Sequence, residues 1–277
     1  MRGSDDGPDA GMIPRALERL IAARDQALPG DITLSFSAVQ IYCEMLHDLL
    51  DPQASAALTI RDSSSAGGNS VGNGVYVQGL SKHPIPSLAV GMQLLRSSDA
   101  NRAVAATKLN ATSSRSHAAY LIHVERRDGS TSSSQREGSK AGGSEQPKTF
   151  LAATLTMVDL AGSERVKKSG VQYQALEESK AINLSLSALG NCVSSLAQNR
   201  SHVPYRDSKL TRLLSQSLGG NAKTALLVAL APGSDLAGEN LSSLQFASRA
   251  GKVRCAAVRN ERVDYAQLYA TAQVQLA

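Results

Sequence analysis

Apolar residues recur along the chain in two periods, and the changes from one to the other mark out the elements. Residues 32–42 are rich in Ile, Leu, Phe and Val with partial alternation, which predicts a strand. Shorter strands are predicted at 75–77, 118–124 and 150–158. The uninterrupted apolar run 224–230 suits a strand covered on both faces. Elsewhere the period is helical. Pro14 can open a first helix whose stripe is Ala16, Leu17, Leu20 and Ile21. Leu88, Met92 and Leu95 share one side of a helix over 88–104. Over 174–198, Leu176, Ile182, Leu186, Leu189, Val193 and Leu196 recur at helical spacing and give the strongest helix. Further helices are predicted at 207–218, stopped by Gly219 and Gly220, at 237–253, and from Val263 onward. Residues 44–50 read as a short helical turn. Two tracts have no period. Residues 63–73 and 128–148 are rich in Ser and Gly and read as loops, the second a low-complexity surface insertion. Strands alternating with helices predict an α/β sandwich.

Composition adds a little. At 277 residues and 42% hydrophobic, the chain can bury a sizeable core. Aromatics are only 4% and Trp is absent, so that core must be mostly aliphatic. The net charge of +5 and a pI near 9.2 suit an acidic partner or none. Cations interleaved with stacking aromatics are missing, so nucleic acid is not the expected partner. Cys43, Cys192 and Cys255 are scattered and form no CxxC pair, which predicts reduced thiols rather than a disulfide frame or zinc site. His117 and His123 fall on one face of a strand, but six residues apart they are too distant for one metal ion. No run of about 18 apolar residues exists to span a membrane.

The chemistry lies in two polar runs at strand boundaries. VDLAGSER, at 158–165, ends a strand in Asp-x-x-Gly. Such an Asp can hold a magnesium water, and the Gly lets a backbone N–H approach a phosphate. NATSSRSH, at 110–117, offers the Ser113 and Ser114 hydroxyls and the fixed guanidinium fork of Arg115. Arg115 and Glu164 could pair, one from each loop, as a latch. Each run by itself is equally a tight turn or a Ser-rich loop.

Two more strings change that balance: NLSLSALGN at 183–191 and VPYRDSKLTR at 203–212. In this order and spacing the four closely resemble the kinesin motor domain, from about Gly11 to about Arg254. They stand where that family has switch I, switch II, the relay helix and the YRDSKLTR segment. FASRA at 246–250 resembles the family's closing helix. The tail from Val263 is similar to the neck of kinesins that carry armadillo repeats. The resemblance implies a three-layer α/β sandwich of the P-loop NTPase type over 1–256, with 128–148 inserted in it. A neck or linker helix would start over 257–277.

The resemblance also implies roles, ATP and Mg²⁺ as cofactors, and the microtubule as partner. Asn110, Ser113, Ser114 and Arg115 would be switch I contacts to nucleotide and magnesium. Asp159 would hold the magnesium water and Gly162 would donate its N–H to the γ-phosphate. Ser114 and Asp159 are thus the expected metal residues. Glu164 would pair with Arg115 and order the attacking water, while Asn183 would brace switch II. Lys167, Lys168, Tyr205, Arg206, Lys209 and Arg212 would meet tubulin, and the setting would be the cytoplasmic microtubule cytoskeleton. Charge supports the last group: residues 200–212 carry four cations against Asp207. In this family direction of travel, cargo and oligomeric state are set by necks and tails outside the motor domain.

One part of the pattern is missing. Kinesins carry a Gly-rich phosphate cradle ending in Gly-Lys-Thr, and here GMIPR at 11–15 matches a string that follows it. GGNAKT at 219–224 leads into an apolar run, whereas a cradle follows a strand and opens a helix. The expectation is a fragment, the C-terminal two-thirds of a motor domain, with the first strands and adenine contacts upstream. The alternative is a short microtubule-binding protein without ATPase function. Either way the phosphates would lack the electrostatic stabilisation that carries phosphoryl transfer. A microtubule-stimulated ATPase assay on the chain alone is expected to give turnover below about 0.1 s⁻¹, against an enzyme median near 10 s⁻¹.

Overall fold

The strand predicted at 32–42 forms with those bounds as β1 (Ile32–Tyr42), and a sheet is built around it. The computed structural model describes residues 1, 3–4, 7–53, 57–62, 74–108, 115–127, 149–162, 173–233 and 236–263. In chain order the elements are α1 (Met12–Asp25), β1, β2 (Met45–Asp48), β3 (Thr59–Asp62), β4 (Val75–Gln78), β5 (His83–Pro84) and α2 (Leu88–Lys108). Then come β6 (His117–Arg127), β7 (Thr149–Asp159), α3 (Tyr173–Ala197), a 3₁₀ turn (Tyr205–Asp207), α4 (Lys209–Leu213), α5 (Ala237–Ala250) and β8 (Glu261–Val263).

The main sheet runs β2-β1-β6-β7-β8, with β5 also on β1, while β3 and β4 form a separate ribbon. The β1–β6 and β6–β7 ladders are antiparallel, the second in register from Ala118 opposite Asp159 to Arg127 opposite Phe150. Alternation sorts the side chains by face. Leu34, Phe36 and Ala38 of β1 and Ala118, Tyr120 and Ile122 of β6 meet Ile13, Leu17 and Ile21 of α1 and Met92 and Leu95 of α2. On the other face Ile41 packs with Leu189 and Val193 of α3 and Leu210 and Leu214 around α4. Helices therefore cover both faces, giving the three-layer α/β sandwich. Phe36, Leu17 and Leu95 are fully buried, so truncating any of them to Ala costs roughly 2–5 kcal/mol.

Several expectations are corrected. Residues 44–50 are not a helical turn: 45–48 is β2, paired antiparallel with β1 from Tyr42 opposite Met45. A two-residue turn joins them, with Cys43 at φ 48° and Glu44 at φ 58°. Glycine or Asn usually marks such a hairpin, so the sequence hides it. Residues 207–218 are not one helix. Ser208 is extended, and its hydroxyl accepts from the Leu210 N–H, so the helix restarts at 209. Gly219, at φ 83°, does lie where the turns after it end. The run 224–230 is not a strand, and Leu227 is 80% exposed. Apolar residues make a strand only where another strand supplies the ladder, and none lies beside this run among the described residues. Residues 257–263 of the expected neck are not helical: 252–260 are irregular and 261–263 pair with β7 as β8. Residues 63–73, 128–148 and 264–277 lie outside the described residues.

The strained β1–β2 turn has a visible use. It aims the Glu44 carboxylate at the start of α4, where Oε2 accepts from the Lys209 N–H at 2.6 Å and Oε1 from the Ser208 hydroxyl at 3.0 Å. The carboxylate thus satisfies a donor that a helix start leaves open, and its charge suits that end. Glu44→Ala is expected to lower unfolding free energy by about 1–3 kcal/mol, a typical loss for a hydrogen bond to a charged group. A reduced urea midpoint with unchanged slope would register it.

Candidate functional site

Because β6 and β7 are antiparallel, the start of one meets the end of the other. Both polar runs found in the sequence lead to this corner. Asp159, the last residue of β7, faces Ala118 across the ladder. Its Oδ2 accepts from Arg102 Nη1 at 2.6 Å, and Arg102 Nη2 donates to the Ser116 carbonyl at 3.0 Å. Arg102 comes from α2 and is buried, while the Asp159 side chain is 45% exposed. One guanidinium therefore fixes the end of β7 to the start of β6. Ser116 is held from the other side, its hydroxyl accepting from Gln40 Nε2 of β1 at 2.9 Å.

His117 closes the corner beneath this pair and is only 3% exposed. Its Nδ1 accepts from the Ala161 N–H at 2.9 Å, and its Nε2 lies 2.8 Å from Ser185 Oγ on α3. The Ser185 hydroxyl donates to the Ile182 carbonyl at 2.8 Å, so it accepts from the ring. These directions require the neutral tautomer with its proton on Nε2. Burial, and then the charge of Arg102, push the His117 pKa from 6.5 down to about 4, with Asp159 opposing.

Of the other expected switch residues, Gly162 lies three positions past Asp159 in the loop leaving β7. Arg115 is half-buried at the same corner, three residues before Ala118. Asn183 is exposed on α3. Asn110, Ser113, Ser114 and Glu164 lie outside the described residues, and with Glu164 so does the latch to Arg115. Arg102, Gln40 and Ser185 were not singled out from sequence, and His117 was weighed only as a metal ligand. Ser185 lies within a recognised string, but nothing local to Arg102 or Gln40 points to the corner. Asp159 offers a hard oxygen of the kind magnesium takes through water. Among the described residues no three His, Cys, Asp or Glu side chains cluster as metal ligands.

Arg206, Lys209 and Arg212 recur at three-residue steps, which on one helix would give them a shared face, but Ser208 breaks the segment and they do not share a helix. Arg206 is on the 3₁₀ turn and 83% exposed, with Asp62 of β3 at 3.7 Å. Arg212, on α4, is 26% exposed and bonded to Asp62 at 3.1 Å. The Tyr205 hydroxyl donates to the Leu218 carbonyl, and burial raises its pKa. Lys209 is half-buried, and Lys167 and Lys168 lie outside the described residues.

The family model of the kinesin motor domain matches residues 1–253. Kinesin-like protein KIN-UA of Arabidopsis thaliana is 41% identical over 99% of this chain, and kinesin-like protein KIN-UB of Oryza sativa subsp. japonica is 40% identical over 99%. The chain spans 29% and 30% of the length of those two relatives. A solved structure of a fast kinesin superposes with a TM-score of 0.78 at 38% identity, covering 94% of this chain and 68% of that one. The shared architecture is the α/β fold of P-loop NTPases.

The buried imidazole gives a pH signature. An unfolded chain protonates His117 near pH 6.5, whereas the folded one resists until about pH 4. The unfolded state therefore binds the extra proton between those values, and stability must fall as pH falls through that window. The loss from this group is on the order of 3 kcal/mol by pH 4. Denaturant midpoints between pH 7 and pH 4 are expected to drop more steeply for the native protein than for His117→Gln.

Proposed function

The chain belongs to the kinesin motor-domain family, and we propose that it supplies the two switch loops, relay helix and track face of an ATP-dependent microtubule motor. What supports this most is the corner between β6 and β7. There the run containing Arg115 and the run containing Asp159 and Gly162 converge, and α3 is hydrogen-bonded to the same corner through Ser185.

In this reading Asn110, Ser113, Ser114 and Arg115 form switch I, and Asp159, Gly162 and Glu164 form switch II. Ser114 and Asp159 would hold magnesium through water, and the ion would supply charge neutralisation at the nucleotide's phosphates. The chain's own residues orient and brace. Arg102 holds the Asp159 carboxylate in place, and Gln40 and Ser116 hold the start of β6 in place. Arg115 and Glu164 would pair when the loops close, which acts on the transition state more than on binding. The microtubule would be met by Lys167, Lys168, Tyr205, Arg206, Lys209 and Arg212, with the protein on the cytoplasmic microtubule cytoskeleton.

The charges on that face divide the work unequally. Arg206 is exposed, and its 3.7 Å contact with Asp62 contributes little to stability. It can therefore engage an acidic surface at small cost. Arg212 is already committed to Asp62. Arg206→Ala is expected to weaken microtubule cosedimentation about 1.4- to fivefold at low salt, the range of roughly 0.2–1 kcal/mol for an exposed pair, and to reduce the salt slope. Arg212→Ala should instead lower thermal stability. Cosedimentation of Arg206→Ala that matched the native protein across a salt series would place the track contact elsewhere.

A further inference from the structure

We propose that His117 is a positioning residue that ties the loop after β7 to helix α3, so that a displacement of either is delivered to the other through the imidazole. The use of this tie rests on the motor reading above; the tie itself rests on four hydrogen-bonding groups. The Ala161 N–H donates to Nδ1 at 2.9 Å, and Nε2 meets Ser185 Oγ at 2.8 Å. The Ser185 hydroxyl in turn donates to Ile182, one turn earlier on α3. Ring and serine thus form a directed chain from the backbone of the loop to the backbone of the helix.

Three features make the chain a coupler rather than a general packing contact. Both ring nitrogens are occupied, one by each element, so the ring cannot follow one partner without pulling on the other. The ring is buried, so water is not at hand to replace a broken bond, and a separated donor or acceptor stays unsatisfied. Leu189 and Val193 of α3 also pack in one apolar cluster with Ile41 and Val158 of the sheet, a non-directional contact that tolerates sliding. A shift of α3 by one residue, about 1.5 Å along its axis, would break the 2.8 Å bond to Ser185. A proton-transfer role is disfavoured by the same geometry, since neither nitrogen is open to a reacting group.

The test is amide hydrogen exchange on the full chain. Ser185→Ala removes a group that does not touch Ala161. It is nevertheless expected to speed exchange of the Ala161 N–H at least tenfold, because the ring loses the contact that fixes its orientation. A purely local role for Ser185 would loosen α3 and leave Ala161 as protected as before, and that result would overturn the proposal. The native protein supplies a second measurement that needs no variant. Nitrogen chemical shifts of His117 are expected to report the neutral tautomer protonated on Nε2, and the Nδ1-protonated form would overturn the tie. Microtubule cosedimentation of the same samples keeps the two readings apart. A native chain that failed to bind would overturn the motor reading, while the exchange and tautomer data would still decide the tie.

Discussion

The corner between β6 and β7 depends on register. Ala118 stands opposite Asp159, and every other placement follows from that pairing. It sets the Ser116 carbonyl within reach of the guanidinium that also holds Asp159. It sets the His117 ring under Ala161, and it turns Tyr120 and Ile122 toward α1 and α2. Side chains alternate with a period of two, so a slip of one residue would turn His117 from the α3 face to the apolar face against α1 and α2. The burial of both faces makes such a slip prohibitive.

Within the corner, two buried nitrogenous side chains play opposite electrostatic parts. The Arg102 guanidinium is received by Asp159 and the Ser116 carbonyl. Removing Asp159 would leave the buried guanidinium with less compensation for its charge. His117 instead stays neutral, since burial and then the neighbouring guanidinium penalise a second cation. The result is a fixed cation beside a neutral connector. The carboxylate, still part-exposed, is left to face whatever approaches the end of β7.

Much of this was legible in the sequence. The α/β class, β1 to its end residues, the long helix α3 and both polar runs follow from periodicity and strand-end chemistry. What escaped was the set of contacts made by partners distant in sequence. Arg102 lies 57 positions from Asp159, and Gln40 lies 76 from Ser116. No local pattern links residues so far apart. The β1–β2 turn was hidden because Cys43 and Glu44 occupy positions that glycine or Asn normally advertises. The helix at 207–218 was overextended because an N-cap serine inside an apolar pattern is easily read as one more helical residue. The run 224–230 shows the reverse failure: apolar composition is necessary for a strand, but a hydrogen-bonding neighbour decides the matter.

The turn that carries Glu44 also has a mechanical side. The segment 205–213 is fastened at separated points: to the β1–β2 hairpin through Glu44, to the β3–β4 ribbon through Asp62, and to the end of its own turn region through Tyr205. A pull on that face would not peel a lone helix from the surface. It would be shared in parallel by attachments that lead into the central sheet and a second ribbon. Short, broken and riveted, the segment suits a surface on which force arrives from outside.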